Sequence, residues 1–320
     1  MTSVSVIIPN YNHAAFLRER MESVLQQTYK PCEIIILDDC STDSSPLIIS
    51  EYLKKYPEIK YIANTVNCGS TFKQWSKGLS EAKGELIWIA ESDDSCHPDL
   101  LKSLVNCHFQ NPDIGLAYCQ SERVNSEGSI TGSWKEFTED LDPRLFEENF
   151  VMDGEEFISR FLIHKNVVPN ASAVLFKKSI YEKVSNNGIP YLAANADWLT
   201  WLKILSYSKV AYLREPLNFF RYHSSSVIAL LHHKEACNTY MERYDYNMRK
   251  EYFLFLSKNS KKIPKGPKKA NLYYMALDKG NQGLFYLKNG KFFKGWKKIL
   301  SASFYPVVQS GFIKKAIKSH

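Results

Sequence analysis

Short apolar runs alternate with stretches of helical spacing along the first 120 residues. Residues 4–8 form a near-continuous apolar run that reads as a buried strand, and Pro9, which lacks an N–H, is expected to stop it. A polar turn follows, Asn10, Tyr11, Asn12 and His13. Phe16, Leu17, Met21, Val24 and Leu25 then recur every three or four positions, predicting a helix over 14–27. A second copy comes next: a strand at 34–37, a turn from Asp38 to Asp43, and a helix over 44–55 that Ser41 or Asp43 would cap. A third short strand is expected at 60–63, and Gly69 gives backbone freedom to the loop after it. A helix over 70–82 carries Phe72, Trp75, Leu79 and Ala82 on one face. The next apolar run, Leu86 to Ala90, ends in Glu91, Ser92, Asp93 and Asp94. A helix over 97–110 and a strand at 116–119 complete the series. This alternation predicts an α/β, doubly wound, mainly parallel sheet flanked by helices.

The pattern weakens beyond residue 120. Residues 121–150 are polar and acidic without period and read as a loop region with little regular structure. A helix is expected over 154–164, a strand at 172–176 and a short helix over 178–184. Asn195, Ala196, Asp197 and Trp198 lead into a helix whose apolar side is Leu199, Leu202 and Leu205, and a last strand at 210–213 precedes Arg221, Tyr222, His223 and serines 224–226. After residue 228 the chain turns to long helical segments rich in Tyr, Phe and Lys, with a break at 263–267. No repeat longer than the strand–helix unit is present.

Composition narrows the class. The 320 residues are 44% hydrophobic, enough for one large core or two smaller ones, and nothing points to disorder. The start has no basic segment, signal-length apolar stretch or cleavage site, so export is not expected, and no window is apolar enough to span a membrane. Seven scattered cysteines with no CxxC pair argue for reduced thiols and a cytoplasmic setting rather than a zinc site or a disulfide framework. The net charge of +7 is uneven. From Lys258 onward there are fifteen lysines, no arginine and one acid, Asp278, for a net +14; this leaves −7 on residues 1–257.

The chemistry gathers on carboxylates. Strand ends of a parallel sheet share one edge, where ligands bind, so Asp38-Asp39 and the Glu91–Asp94 cluster would face a common crevice. Three acids within four residues repel one another and persist most easily around a cation; oxygen ligands favour Mg²⁺ or Mn²⁺. On this reading Asp39 accepts a hydrogen bond from a nucleotide base, Asp93 holds a ribose hydroxyl and Asp94 ligates a metal beside a diphosphate. Asp197 is left to serve as a general base toward a hydroxyl.

Several ordered segments together resemble the family 2 glycosyltransferases of the GT-A fold. They are Val4-Ser5-Val6-Ile7-Ile8-Pro9-Asn10-Tyr11-Asn12, Ser23 to Thr28, Glu33 to Asp43, Asn67-Cys68-Gly69, Ala82 to Glu85 and Ser92-Asp93-Asp94. The likeness is close over 3–120 and looser to 226. It implies a catalytic domain over 1–226, with a nucleotide-binding half (1–120) and an acceptor-binding half (121–226), followed by a basic aromatic helical extension over 227–320. It also implies Pro9, Asn12, Asp39 and Asp93 at the nucleotide, Asp94 and His223 at a metal, Arg221 at the diphosphate and Asp197 as the base of an inverting reaction. The family's usual Glu-Asp pair reads Ala196-Asp197 here.

The expected function is a metal-dependent, inverting transfer of a sugar from a nucleotide-diphosphate donor, a UDP-sugar foremost, to a glycan or lipid-linked acceptor in bacterial surface polysaccharide synthesis. The alternative is a non-catalytic nucleotide-sugar or glycan-binding module of the same fold. Neither a G-x-G-x-x-G nor a lysine-bearing phosphate loop follows the first strand, which disfavours dehydrogenases and nucleotidyltransferases. Lysines interleaved with Phe292, Phe293, Trp296, Phe304 and Tyr305 suit an anionic membrane surface through 258–320, peripheral on the inner face of the cell membrane. No groove-reading motif accompanies the charge, so no nucleic-acid partner is expected.

Overall fold

The computed structural model describes residues 2–185, 195–223, 237–259 and 265–303. Serines 224–226, the boundary at 226, Phe304, Tyr305 and residues 263 and 264 of the expected break lie outside the described residues, whereas 265–267 of that break open a helix.

Among the described residues ten strands form one mixed sheet: β1 (Val4–Asn10), β2 (Glu33–Asp38), β3 (Lys60–Ala63), β4 (Leu86–Ile89), β5 (Ser95–Cys96), β6 (Ile114–Val124), β7 (Ile130–Ser133), β8 (Phe150–Asp153), β9 (Val174–Lys177) and β10 (Lys209–Arg221). The order is β3-β2-β1-β4-β9-β6-β10-β5, with β7 on β6 and β8 on β10. The strands β1 to β4 are parallel neighbours, as the repeating strand–helix units require. Strand β9 enters antiparallel between β4 and β6 and joins the two halves of the sheet.

Strand residues alternate between two cores. Ile7, Ile35, Leu37, Ile87 and Ile89 face one side, and Val6, Ile8, Ile36, Leu86 and Trp88 the other. The second side is covered by α1 (Ala14–Leu25), α2 (Ser45–Lys55) and α4 (Leu100–Gln110). The first is covered by α3 (Thr71–Glu81), α5 (Gly154–Phe157), a π-helical turn over Ile158–Leu162, α6 (Lys178–Val184) and α7 (Ala196–Leu205). Helix α3 lies so close to β1 that a Cβ on Gly78 would sit 2.5 Å from the Ile7 side chain, so only glycine fits there. Helices α8 (Cys237–Lys258), α9 (Lys265–Lys288) and α10 (Phe292–Ser303) follow, and Met248, Tyr252 and Leu256 of α8 belong to the first core.

Three expectations change. Pro9 lies inside β1 rather than ending it. The β1–β4 ladder stops at Ile7–Ile89, with the Ala90 N–H donating to the Ile7 carbonyl, so the side on which Pro9 lacks its N–H has no strand left to pair. Residues 121–150 contain the end of β6, all of β7 and two 3₁₀ turns, and β8 opens at Phe150. Their exposed, short, edge pairing leaves no apolar period to read. The last strand runs thirteen residues, not four, with bulges at Leu213–Pro216 and Pro216–Asn218 that carry it round to Arg221. Among the described residues no helix is long and apolar enough to cross a membrane.

Candidate active site

The carboxyl ends of β1, β2 and β4 meet at one edge of the sheet, and β10 ends beside them. Two loops are clasped there by short polar side chains. Asn10 Nδ2 donates to Asp38 Oδ1 at 2.8 Å, and the Ser41 hydroxyl donates to the same oxygen at 2.6 Å. Asn12, in the left-handed region at φ 54°, accepts from the Thr42 N–H at 2.8 Å, and its own N–H donates to Ser41 Oγ at 2.9 Å. Asp38 and Asn12 thus hold the β1–α1 loop to the β2–α2 loop, while Pro9 supplies buried strand just behind them.

Asp39 is buried beside this clasp. Its Oδ1 accepts from Asn64 Nδ2 at 2.6 Å, Gln74 Nε2 at 2.8 Å and the Cys68 N–H at 2.9 Å. Its Oδ2 has, among the described residues, only the Cys68 thiol at 3.2 Å. A thiol is a weak donor, so this oxygen keeps capacity for an N–H from a ligand. Gly69, at φ 66°, turns the loop that delivers Cys68.

The three acids after β4 have diverged in environment. Glu91 accepts the Trp75 indole N–H at 2.8 Å, and burial, followed by the charge of Asp93, raises its pKa well above the ordinary value. Asp94 is almost fully buried. Its Oδ1 accepts the Arg221 N–H at 2.9 Å and its Oδ2 accepts Asn170 Nδ2 at 2.8 Å; burial and the neighbouring Asp93 push its carboxyl up to about 7. Asp93 turns the other way, 3.0 Å from His223 Nε2. Burial opposes its ionisation, but the hydrogen bond from His223 and the charges of His13 and His223 hold its pKa below the usual carboxylate value.

His13 completes this group. Its Nδ1 is 2.8 Å from Ser92 Oγ, its ring lies edge-on to that of His223 at 5.5 Å, and burial lowers its pKa. His13, Asp93 and His223 each offer a ligand atom, and these atoms all lie within 4.8 Å of one another. The set of two imidazoles and one carboxylate fits a divalent cation that accepts both nitrogen and oxygen. Sequence reasoning had passed over His13 as a turn residue. Its signal was topological: β1 and β4 are parallel neighbours, so the loop after one must meet the loop after the other.

Two buried arginines underlie the cluster. Arg20 Nε donates to the Glu91 carbonyl at 2.8 Å, and its Nη2 reaches Ser172 Oγ at 3.2 Å. Arg221 Nε donates to the Asp93 carbonyl at 2.8 Å, Nη1 to the Asn125 carbonyl at 2.9 Å and Nη2 to Glu19 at 2.5 Å. Its guanidinium, expected at a diphosphate, holds the Asn125 carbonyl, Glu19 and the backbone that presents Asp93. Asp94, expected as a direct metal ligand, likewise has both oxygens engaged by protein donors.

Asp197 sits in the first turn of α7, half-buried, with its Oδ2 accepting Asn166 Nδ2 at 2.9 Å; desolvation raises its pKa. Asn166 and Asn170 belong to one loop, so the partner of Asp197 and the partner of Asp94 are four residues apart, at most about 14 Å of chain. Ala196 beside it is fully buried and brings no second carboxylate.

The family model for glycosyl transferase family 2 matches residues 5–184. A Campylobacter jejuni GalNAc(5)-diNAcBac-PP-undecaprenol beta-1,3-glucosyltransferase is 24% identical over 288 residues, 89% of this chain and 86% of that protein. The Staphylococcus aureus TarS 1–349 structure with UDP is 16% identical, with a TM-score of 0.58 over 93% of this chain and 90% of that one. The mannosyltransferase PcManGT of Pyrobaculum calidifontis, solved with GDP-Man and Mn²⁺, is 15% identical, with a TM-score of 0.56 over 99% and 80%. Several other curated relatives are longer, and the chain spans 26%, 41% and 60% of the length of three of them. The two solved structures share its fold, the GT-A arrangement.

Proposed function

The chain belongs to glycosyl transferase family 2, and on that premise we propose that it transfers a sugar, with inversion, from a nucleotide-diphosphate donor to a hydroxyl of a glycan or lipid-linked acceptor. The observation that carries this reading is the convergence of His13, Asp93 and His223 at the strand edge that also holds the half-open carboxylate of Asp39.

In this reading Asp39 Oδ2 accepts the base N–H, and Pro9 and Asn12 shape the wall beside it. Asp93, His223 and His13 are the metal ligands, so the direct contact expected of Asp94 passes to Asp93. A divalent cation held there supplies positive charge to the diphosphate oxygens; the two imidazoles favour Mn²⁺ over Mg²⁺. Asp94, Arg221 and Arg20 position the ligand loop. Asp197 takes the proton of the acceptor hydroxyl as its oxygen attacks the anomeric carbon; the bond from that carbon to the diphosphate oxygen breaks on the opposite face. Only one carboxylate is assigned to that carbon, so no covalent sugar–enzyme intermediate forms.

The acceptor reading draws on the undecaprenol-linked substrate in the name of the Campylobacter relative and on the lysine-rich C-terminal helices. Helix α10 exposes Phe293 among Lys291, Lys294 and Lys297, the chemistry of a peripheral contact with anionic lipid.

Calorimetric titration with UDP-, GDP- and dTDP-sugars, each with Mn²⁺ and with EDTA, tests the proposal. One donor should bind in a metal-dependent manner and release its nucleoside diphosphate on turnover. Binding without turnover toward any acceptor offered would favour the non-catalytic module, and no binding of any donor would overturn the reading.

A further inference from the structure

The C-terminal helices do not merely follow the catalytic half; they grip the two segments that hold Asp197. On α8, Arg249 and Asp245 are one helical turn apart, on one face, and contact two different segments. The buried Arg249 guanidinium donates from Nη1 to the Ile163 carbonyl at 2.7 Å and from Nη2 to the His164 carbonyl at 3.4 Å. It is packed between the rings of Trp198 and Tyr274, at 5.0 and 4.8 Å, and pairs with Asp278 of α9 at 3.1 Å. Two residues beyond His164 lies Asn166, the hydrogen-bond partner of Asp197.

Asp245 contacts the residue that leads into α7. Its Oδ1 accepts Asn195 Nδ2 at 2.5 Å. Asn195 is the residue before α7 and holds the left-handed conformation, φ 62°, without capping the helix through its side chain. Asparagine tolerates this conformation better than most residues, and the bond to Asp245 fixes its side chain. Two residues on is Asp197. Trp198, whose indole N–H donates to the Leu162 carbonyl at 2.7 Å, closes the circuit beneath Arg249.

We propose that Arg249 and Asp245 of α8 are positioning residues for Asp197, so that the helical C-terminal part belongs to the catalytic unit and sets the aim of the base. The proposal rests on the reading of Asp197 as that base. It assigns the helices a role in turnover, distinct from any role at a membrane. A carboxylate displaced by about 1 Å from its productive position costs on the order of 10²-fold in rate, whereas a donor bound at Asp39 and Asp93 does not sense that displacement. Lysine keeps the charge of Arg249 but cannot make its fork.

The experiment compares full-length wild type with R249K, D245N and D197N. The probes are UDP-glucose, UDP-N-acetylglucosamine and GDP-mannose with Mn²⁺. Nucleoside diphosphate release is read for turnover, calorimetry for donor affinity and thermal melting for folding. R249K and D245N should each lower kcat about 10- to 100-fold and change donor Kd less than threefold. Amide exchange should rise in 162–167 and 195–199 and stay unchanged in 90–96. Turnover like wild type in both variants, or a loss of donor affinity matching the loss of kcat, overturns the inference. D197N separates the two failures: if it turns over normally the base assignment falls, and if it is inactive while R249K and D245N are normal, only the positioning role falls. A wild type inactive toward all three donors counts against the transferase reading itself.

Discussion

The proposed donor edge and the proposed base are both built on carboxylates, buried at Asp38 and Asp39 and half-buried at Asp197, yet they are held in different ways. At the donor edge Asp38 is fixed by Asn10 and Ser41 from adjoining loops, and Asp39 by Asn64, Cys68 and Gln74 within 35 residues of it. Asp197 depends on a loop 31 residues earlier, and the Asn195 beside it on Asp245, 50 residues later. The first region joins loops of neighbouring strand–helix units; the second joins a loop after the π-helical turn, the start of α7 and the C-terminal helix α8. Damage should therefore stay local at the first and spread at the second.

The largest effect expected falls on the base. D197N should reduce turnover by about 10²- to 10⁴-fold, the range of a lost general base, while donor affinity stays within a few-fold of wild type. Steady-state nucleotide release beside calorimetry measures both. Turnover within threefold of wild type would remove Asp197 from the mechanism and with it the contrast between the two regions.

Next comes the donor edge. D93N should weaken Mn²⁺-dependent donor binding by about 10- to 100-fold, because it removes the one charged ligand of the three. D94N should do so far less, since Asp94 faces Arg221 and Asn170. Calorimetry with and without EDTA distinguishes the two neighbours. If D94N is the more damaging variant, the assignment of roles within the pair reverses.

These two carboxylates show how far the sequence could be read. The strand–turn–helix periodicity of residues 4–120 exposed the sheet, its binding edge and the acidic residues there, since one apolar run and one polar turn each map to one element. It could not say which way adjacent Asp93 and Asp94 point. That is decided by Asn170, Arg221 and His223, which arrive from the other half of the chain. The antiparallel insertion of β9 and the thirteen-residue length of β10 were hidden for the same reason. Strand β9 is legible as a strand at 172–176 but its direction and neighbours are not, and the bulges of β10 break its period. Arg249 and Asp245 lay in a stretch without any pattern tied to chemistry, and only the packing of α8 on α7 connects them to the site.

A smaller effect tests the support of the base. Asn166 donates to the anionic form of Asp197, so N166A withdraws a bond that favours ionisation. Burial already raises the Asp197 pKa, and losing the bond raises it further. The base works deprotonated, so turnover falls as pH drops through its pKa. In N166A this acid limb should move to higher pH, with kcat at neutral pH down about tenfold or less. A limb at its wild-type position in the pH–kcat profile would show that Asn166 only fills space.

The smallest effect returns to the donor edge. In D39N the three donors on Oδ1 keep their places, because an amide oxygen accepts as a carboxylate oxygen does, but the second position becomes an NH₂ that faces the incoming base N–H as a donor. Losing one charge-assisted hydrogen bond of about 1.5 kcal/mol corresponds to roughly tenfold in donor Kd, with kcat at saturation unchanged. A donor Kd left unchanged would mean that the base does not rest on Oδ2. A fall in kcat as well would mean that the donor edge reaches the base, and that the two regions are not held as separately as their contacts suggest.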